Sequence, residues 1–187
     1  MLYPLRSRCF CLAPALLLAM FAVPANAQPA DGGAKALITG GHYQLTLAGA
    51  EKILAAAKSK AEEMNLKVNI AVVDDGGHPL AFQRMDGARP ASLYTAITKA
   101  SASATLRAAT GPLPPGTKEP DVWLNLSLQF AAGQSGGKLT TLKGGVPVIV
   151  AGEVIGAVGV GGGTGEQDAE IAAAGIAALM KQLAKPE

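Results

Sequence analysis

Residues 68–88, VNIAVVDDGGHPLAFQRMDGA, decide the fold. Side chains in a strand alternate with period two, so Val68, Ile70 and Val72 share one face and Asn69, Ala71 and Val73 the other. Both faces are largely apolar. The turn Asp75-Gly76-Gly77 follows, where glycine supplies the positive φ that a tight hairpin needs. Leu80, Phe82 and Arg84 then alternate with Ala81, Gln83 and Met85. The spacing predicts a β-hairpin at or near the centre of a sheet, closed by the charged corner Arg84-Met85-Asp86-Gly87.

Before the hairpin, Thr46 is a suitable N-cap for a helix. Its apolar stripe runs Leu47, Ala50, Leu54, Ala57, Ala61, Met64 at helical spacing, and Asn65 ends it. After the hairpin, Pro90 can open a second helix, whose face of Leu93, Ile97, Ala100 and Ala104 is made mostly of small residues and can sit close to a sheet. GPLPPG at 111–116 breaks the chain. Residues 121–132, with Trp123, Leu124, Leu126, Leu128 and Phe130, read as a short helix or an extended segment, of which the helix is preferred. Residues 133–137 read as a loop and 139–142 as a strand. A second hairpin joins 146–150 to 154–160 through a Gly152-Glu153 turn, and Pro147 assigns its first arm to an edge or a bulge. Gly156, Gly159 and Gly161 leave the second arm with little side-chain bulk, which predicts a helix packed tightly over it. Thr164 and Gln167 carry a capping-box signature for a last helix that buries Ile171, Gly175, Ala178 and Leu179 and ends near Leu183. Two hairpins without strand-helix-strand alternation give an α+β fold, an antiparallel sheet with helices on its faces.

The N-terminal 27 residues read as a secretory signal peptide: Arg6 and Arg8, an apolar run over 9–23 interrupted by Pro14, and the small-residue site Ala25-Asn26-Ala27. The run is shorter than the roughly 20 residues a membrane span requires. Residues 28–44 are expected to form a flexible leader and 45–187 a single domain, periplasmic or secreted, with no membrane association after cleavage. Cys9 and Cys11 leave with the signal, so the mature chain has no thiol ligand. It keeps 14 basic residues (16 less Arg6 and Arg8) against 14 acidic ones. That balance, with no Lys/Arg run or aromatic ladder, argues against a nucleic-acid partner.

GVGGGT at 159–164 lies at a strand-to-helix junction, where backbone amides can cradle a phosphate. It lacks the dinucleotide register and the P-loop lysine, and Glu166 and Asp168 would repel an anion, so a structural bend is the better reading and no nucleotide is expected. His78, at the first hairpin's tip, is either an exposed turn residue or an axial ligand to haem or iron. His42 has the same two readings, and Tyr43 beside it could offer a phenolate to ferric haem. With two histidines in the chain there is no zinc motif. Arg84 and Asp86, flanking Met85, either cap the following turn or bind a ligand carboxylate such as a haem propionate. No catalytic residue is assigned: there is no nucleophile-elbow motif near Ser127 or Ser135, and spacing singles out no acid-base pair among Asp74, Asp75 and Asp86.

The hairpin VVDDGGHPLAFQRMDGA resembles the GlcG/HbpS family of small haem-associated proteins, which includes the C-terminal domain of PduO-type proteins. So do Leu45-Thr46-Leu47 with its Ala-rich helix, the Gly144-Gly145-Val146-Pro147 turn, and GEVIGAVGVGGGTGEQDAEIAAAG at 152–175. The likeness spans about residues 45–182, with 117–138 departing most. It implies a five-stranded antiparallel sheet of profilin-like or PAS-like shape flanked by helices, haem as ligand, and a homo-oligomer. On that basis the chain is expected to be an exported haem-binding protein in haem or iron sensing, storage or uptake. His78, or His42 with Tyr43, would then ligate iron, and Arg84 would lie near the propionates. Some family members lie beside catabolic operons, so the alternatives are an isomerase or lyase acting on a carboxylate through Arg84 and Asp86, or a cofactor-free oligomeric accessory protein.

Overall fold

In a computed structural model the described residues are 41–184; the signal peptide expected at 1–27 and most of the leader expected at 28–44 lie outside them. The elements are α1 (Leu47–Glu63), β1 (Asn69–Asp74), β2 (Pro79–Arg84), α2 (Ser92–Leu106), α3 (Val122–Gln134), β3 (Gly145–Val150), β4 (Glu153–Gly161) and α4 (Gly165–Leu183). The described residues form one compact unit.

Thr46 caps α1 through its hydroxyl, which accepts the Gly49 N–H at 3.2 Å. The buried face is Ala50, Ile53, Leu54, Ala57 and Ala61. Leu47, expected in the stripe, is exposed, and Leu45 is buried instead. From the coil before the helix its side chain lies beside Gly49. Asn65, at φ 55°, turns the chain into β1.

The first hairpin pairs Asn69 with Arg84 and Ile70 with Gln83. Of the two turn glycines only Gly77 takes a positive φ, +80°. The sheet order is β2-β1-β4-β3, antiparallel throughout. Pro147 therefore sits in an edge strand, where its missing N–H costs no ladder bond.

The sheet has four strands, not the five expected. Residues 139–142 do not join it, and side chains take up both backbone groups of Leu142. The Leu142 N–H donates to Thr140 Oγ1 at 3.1 Å, and the Leu142 carbonyl accepts the Thr110 hydroxyl at 2.7 Å.

α1 and α4 pack together over one face of the sheet, burying Ile70, Val72, Val148, Val158 and Val160. α2 covers the other, against Ala71, Val73 and Ala157. That second interface is thin because backbone meets backbone. A methyl group at Gly159 would strike the Ala96 carbonyl, and one at Gly145 the Lys99 carbonyl. Contact of this kind relies on dispersion between close-packed atoms rather than on large apolar area. α4 begins with the capping box foreseen: Gln167 N–H to Thr164 Oγ1 at 3.3 Å and Thr164 N–H to Gln167 Oε1 at 2.9 Å. α3 is a helix, as preferred, but buries none of its residues. Among the described residues no helix is long and apolar enough to cross a membrane.

Candidate functional site

Antiparallel pairing of Asp74 with Gly156 brings the β1–β2 and β3–β4 turns to the same end of the sheet. The coil at 41–46 crosses here, anchored by Leu45, whose Cδ2 lies 3.0 Å from where a Cβ on Gly156 would stand. It holds His42 and Tyr43 against a groove of about 560 Å³, completed by Asp75, Arg107, Ile149, Gly152, Glu153 and Val154. Arg107 ends α2 in the left-handed conformation, φ 55°, and donates from Nη1 to the Val154 carbonyl at 3.3 Å. Imidazole, phenol and guanidinium thus share one concave surface with the aliphatic side chains of Ile149 and Val154. A volume in this range is ordinary for a small-molecule or cofactor site.

His78 does not line that groove. It stands exposed at the hairpin tip, with Nδ1 3.2 Å from Asp74 Oδ1 and its backbone N–H donating to the same oxygen at 2.8 Å. Nε2 is the ring nitrogen left without a protein partner among the described residues. Arg84, Met85 and Asp86 lie at the opposite end of β2, roughly 20 Å of extended chain from His78. They border a hollow of about 330 Å³ with Lys58, Glu62, Lys67 and Gln83. Met85 is buried in the main core. Arg84 donates from Nη2 to the Ala88 carbonyl at 3.2 Å, closing the corner, and forms no ion pair with Asp86 among the described residues. The structure therefore brings His42 and Tyr43 together and separates them from the Arg84 corner. No cluster of three or more His, Cys, Asp or Glu suited to a metal ion occurs among the described residues.

One buried pair was not foreseen. Lys99 of α2 places Nζ 2.7 Å from Asp168 Oδ2 and 2.9 Å from the Val160 carbonyl, while Asp168 Oδ1 accepts the Gly163 N–H at 2.9 Å. Arg89, Thr95, Lys143 and Glu166 surround the pair at a cavity of about 360 Å³. The available signal was that Lys99 is the only charged residue of α2. Nearby, Glu166 has its carboxyl held below the usual value, first by its own backbone N–H and then by Lys143. The amides of Gly163, Thr164 and Gln167 are all taken by side chains of α4 or its cap, so the glycine bend offers them to no phosphate. Asn69 donates to the Arg89 carbonyl at 3.1 Å, and its Oδ1 is buried without a partner.

These features define a small α+β domain with a groove at one end of its sheet that combines an imidazole, a phenol and a guanidinium. The chain belongs to the HbpS-like family of haem-degrading proteins, whose profile matches residues 45–177. GlcG of Escherichia coli strain K12 is 43% identical over 111 residues, 59% of this chain and 76% of GlcG. A crystallised double mutant of HbpS from Streptomyces reticuli shares the fold with a TM-score of 0.61 and 31% identity, covering 79% of this chain and 95% of that one. A PduOC complex with haem gives a TM-score of 0.58 at 25% identity, covering 73% and 95%.

Proposed function

We propose that this chain is an exported haem-binding protein that takes haem into the groove built by the 41–46 coil, the β3–β4 turn and the C-terminal end of α2. The observation that carries this reading is that His42, Tyr43 and Arg107 line one groove with Ile149 and Val154. Imidazole and phenolate are both established types of axial haem ligand, and a guanidinium fork suits a carboxylate such as a propionate. Family membership and the haem-bound PduOC relative support the ligand class. Export rests on the leader features of residues 1–27. Haem, when bound, supplies an iron centre that accepts a protein ligand. The chain's own residues provide that ligand, wall the ring with aliphatic groups and neutralise its acid chains. His42 with Tyr43 is the ligand pair in this reading, and His78 is a turn residue held by Asp74.

A Soret titration tests it. The protein purified after expression of the full-length sequence should show a saturable shift. His42→Ala/Tyr43→Phe should weaken binding at least tenfold, whereas His78→Ala and Arg84→Ala should leave it within twofold of wild type. Absence of a saturable shift would sink haem binding altogether, and loss in His78→Ala alone would move the site to the hairpin tip. Export is read separately, from a mature N-terminus at Gln28 in the periplasmic or extracellular fraction.

A further inference from the structure

The helix α3 is built inside out. At 100° per residue, Asn125, Leu128, Ala132 and Ser135 fall on one side, and these are the half-buried positions of the segment. Polar bonds hold that side to the body: Asn125 Nδ2 to the Leu113 carbonyl at 2.7 Å, Leu113 N–H to Asn125 Oδ1 at 3.0 Å, and Gln129 Nε2 to Thr141 Oγ1 at 2.8 Å. The side facing away carries Trp123, Leu126, Ser127 and Phe130. Trp123 and Phe130 are each 79% exposed, Leu126 44%. A helix apolar on its outward side is stable in water only if something covers it.

We propose that the cover is a second copy of this chain, with two α3 helices packed antiparallel about a two-fold axis. Three features select that occupant. Residues 122–134 contain no charged side chain, so the complementary surface must be uncharged as well, and α3 of another copy is. The missing cations also argue against a lipid surface, since interfacial helices carry Lys and Arg on their polar side. The spacing is self-complementary. An axis passing between Leu126 and Ser127 sets Trp123 of each copy against Phe130 of the other, and Leu126 against Ser127, large against small. The area is adequate too. At their exposure the two rings from two copies bring roughly 500–800 Å² of aromatic surface, and Leu126 with the flanking Val122 and Leu124 extends the patch toward the ~1,000 Å² of a specific interface. The proposal is independent of haem binding.

Trp123 is the only tryptophan in the chain, so its emission reports the interface directly. Using protein purified from expression of the full-length sequence, sedimentation and tryptophan fluorescence are followed together over a dilution series. The expected result is association whose loss on dilution coincides with a red shift of the emission. Phe130→Ala should weaken association about thirtyfold or more, and Trp123→Ala likewise by sedimentation. Both should keep the wild-type circular dichroism and, at dilutions where the wild type is monomeric, its thermal midpoint, because α3 buries no residue within one copy. The proposal is overturned by a monomer at all concentrations, or by oligomers that form while the indole stays water-exposed. Emission that stays blue-shifted in a species that sediments as a monomer would overturn it too, and would mean that another part of the same chain covers α3. A blue shift produced by phosphatidylglycerol/phosphatidylcholine vesicles but not by concentrating the protein would assign the helix to a membrane.

Discussion

Lys99 and Asp168 are almost removed from water, with side chains 6% and 2% exposed, so each ion depends on the other. Replacing Lys99 by Met leaves a buried carboxylate without a cation and should cost about 3–5 kcal/mol in urea denaturation, while adding Asp168→Leu should restore most of that loss. At the same cavity, Glu166 titrates below the ordinary carboxylate value in the folded chain. A depressed folded value gives stability that is present above the unfolded value and lost as the pH falls through the folded one. Glu166→Gln should therefore lower stability slightly near neutrality and flatten its loss as the pH falls through the carboxylate range, measured as the urea midpoint against pH; the group is exposed, so the effect is small. At this scale His42 and Tyr43 were legible in the sequence as residue types. Arg107 was not, because its reach to Val154 depends on where α2 stops. The Lys99–Asp168 pair joins positions 69 residues apart, which no local spacing can reveal.

The elements were more legible than the contacts between them. Both hairpins, the edge position of Pro147 and the capping box of α4 follow from short-range rules of turn geometry, missing donors and orphan amides. At the expected fifth strand Thr110 and Thr140, one of them about 30 residues away, take up both backbone groups of Leu142. In α1 an alanine-rich helix offers several nearly equivalent stripes, so the burial of Ile53 and the exposure of Leu47 depend on packing against α4 and the sheet rather than on local spacing. A glycine series probes the α2 contact. Gly159→Ala pushes a methyl group into the Ala96 carbonyl and the Ala100 amide and should cost about 3 kcal/mol or more, at the upper end of overpacking effects. Gly133→Ala, in open space within α3, should gain about 0.5–1 kcal/mol. Thr164→Ala should lose about 1 kcal/mol with the cap. Thermal or urea unfolding of the three variants side by side checks the ranking.

Over the whole molecule, the sheet separates two ends with different groups. The His42–Tyr43–Arg107 groove lies at one end and the Arg84–Met85–Asp86 corner at the other, with core residues between. Substitutions at the two ends share no partner, so the effects of His42→Ala and Arg84→Ala on unfolding free energy should add within about 0.5 kcal/mol. A double-mutant cycle that departs further would show that strand β2 transmits strain between them.

The contact of α2 with the sheet also constrains how this chain can change over generations. Where Gly159 and Gly145 touch helix carbonyls there is no clearance for a single added atom. A larger residue on either strand is admissible only after α2 has shifted outward, and that shift would open the alanine seam along Ala71, Val73 and Ala157. Viable histories must therefore pass through matched changes on helix and strand. Lys99 leaves this same helix to reach Asp168, so the seam and the ion pair should drift together as one inherited unit.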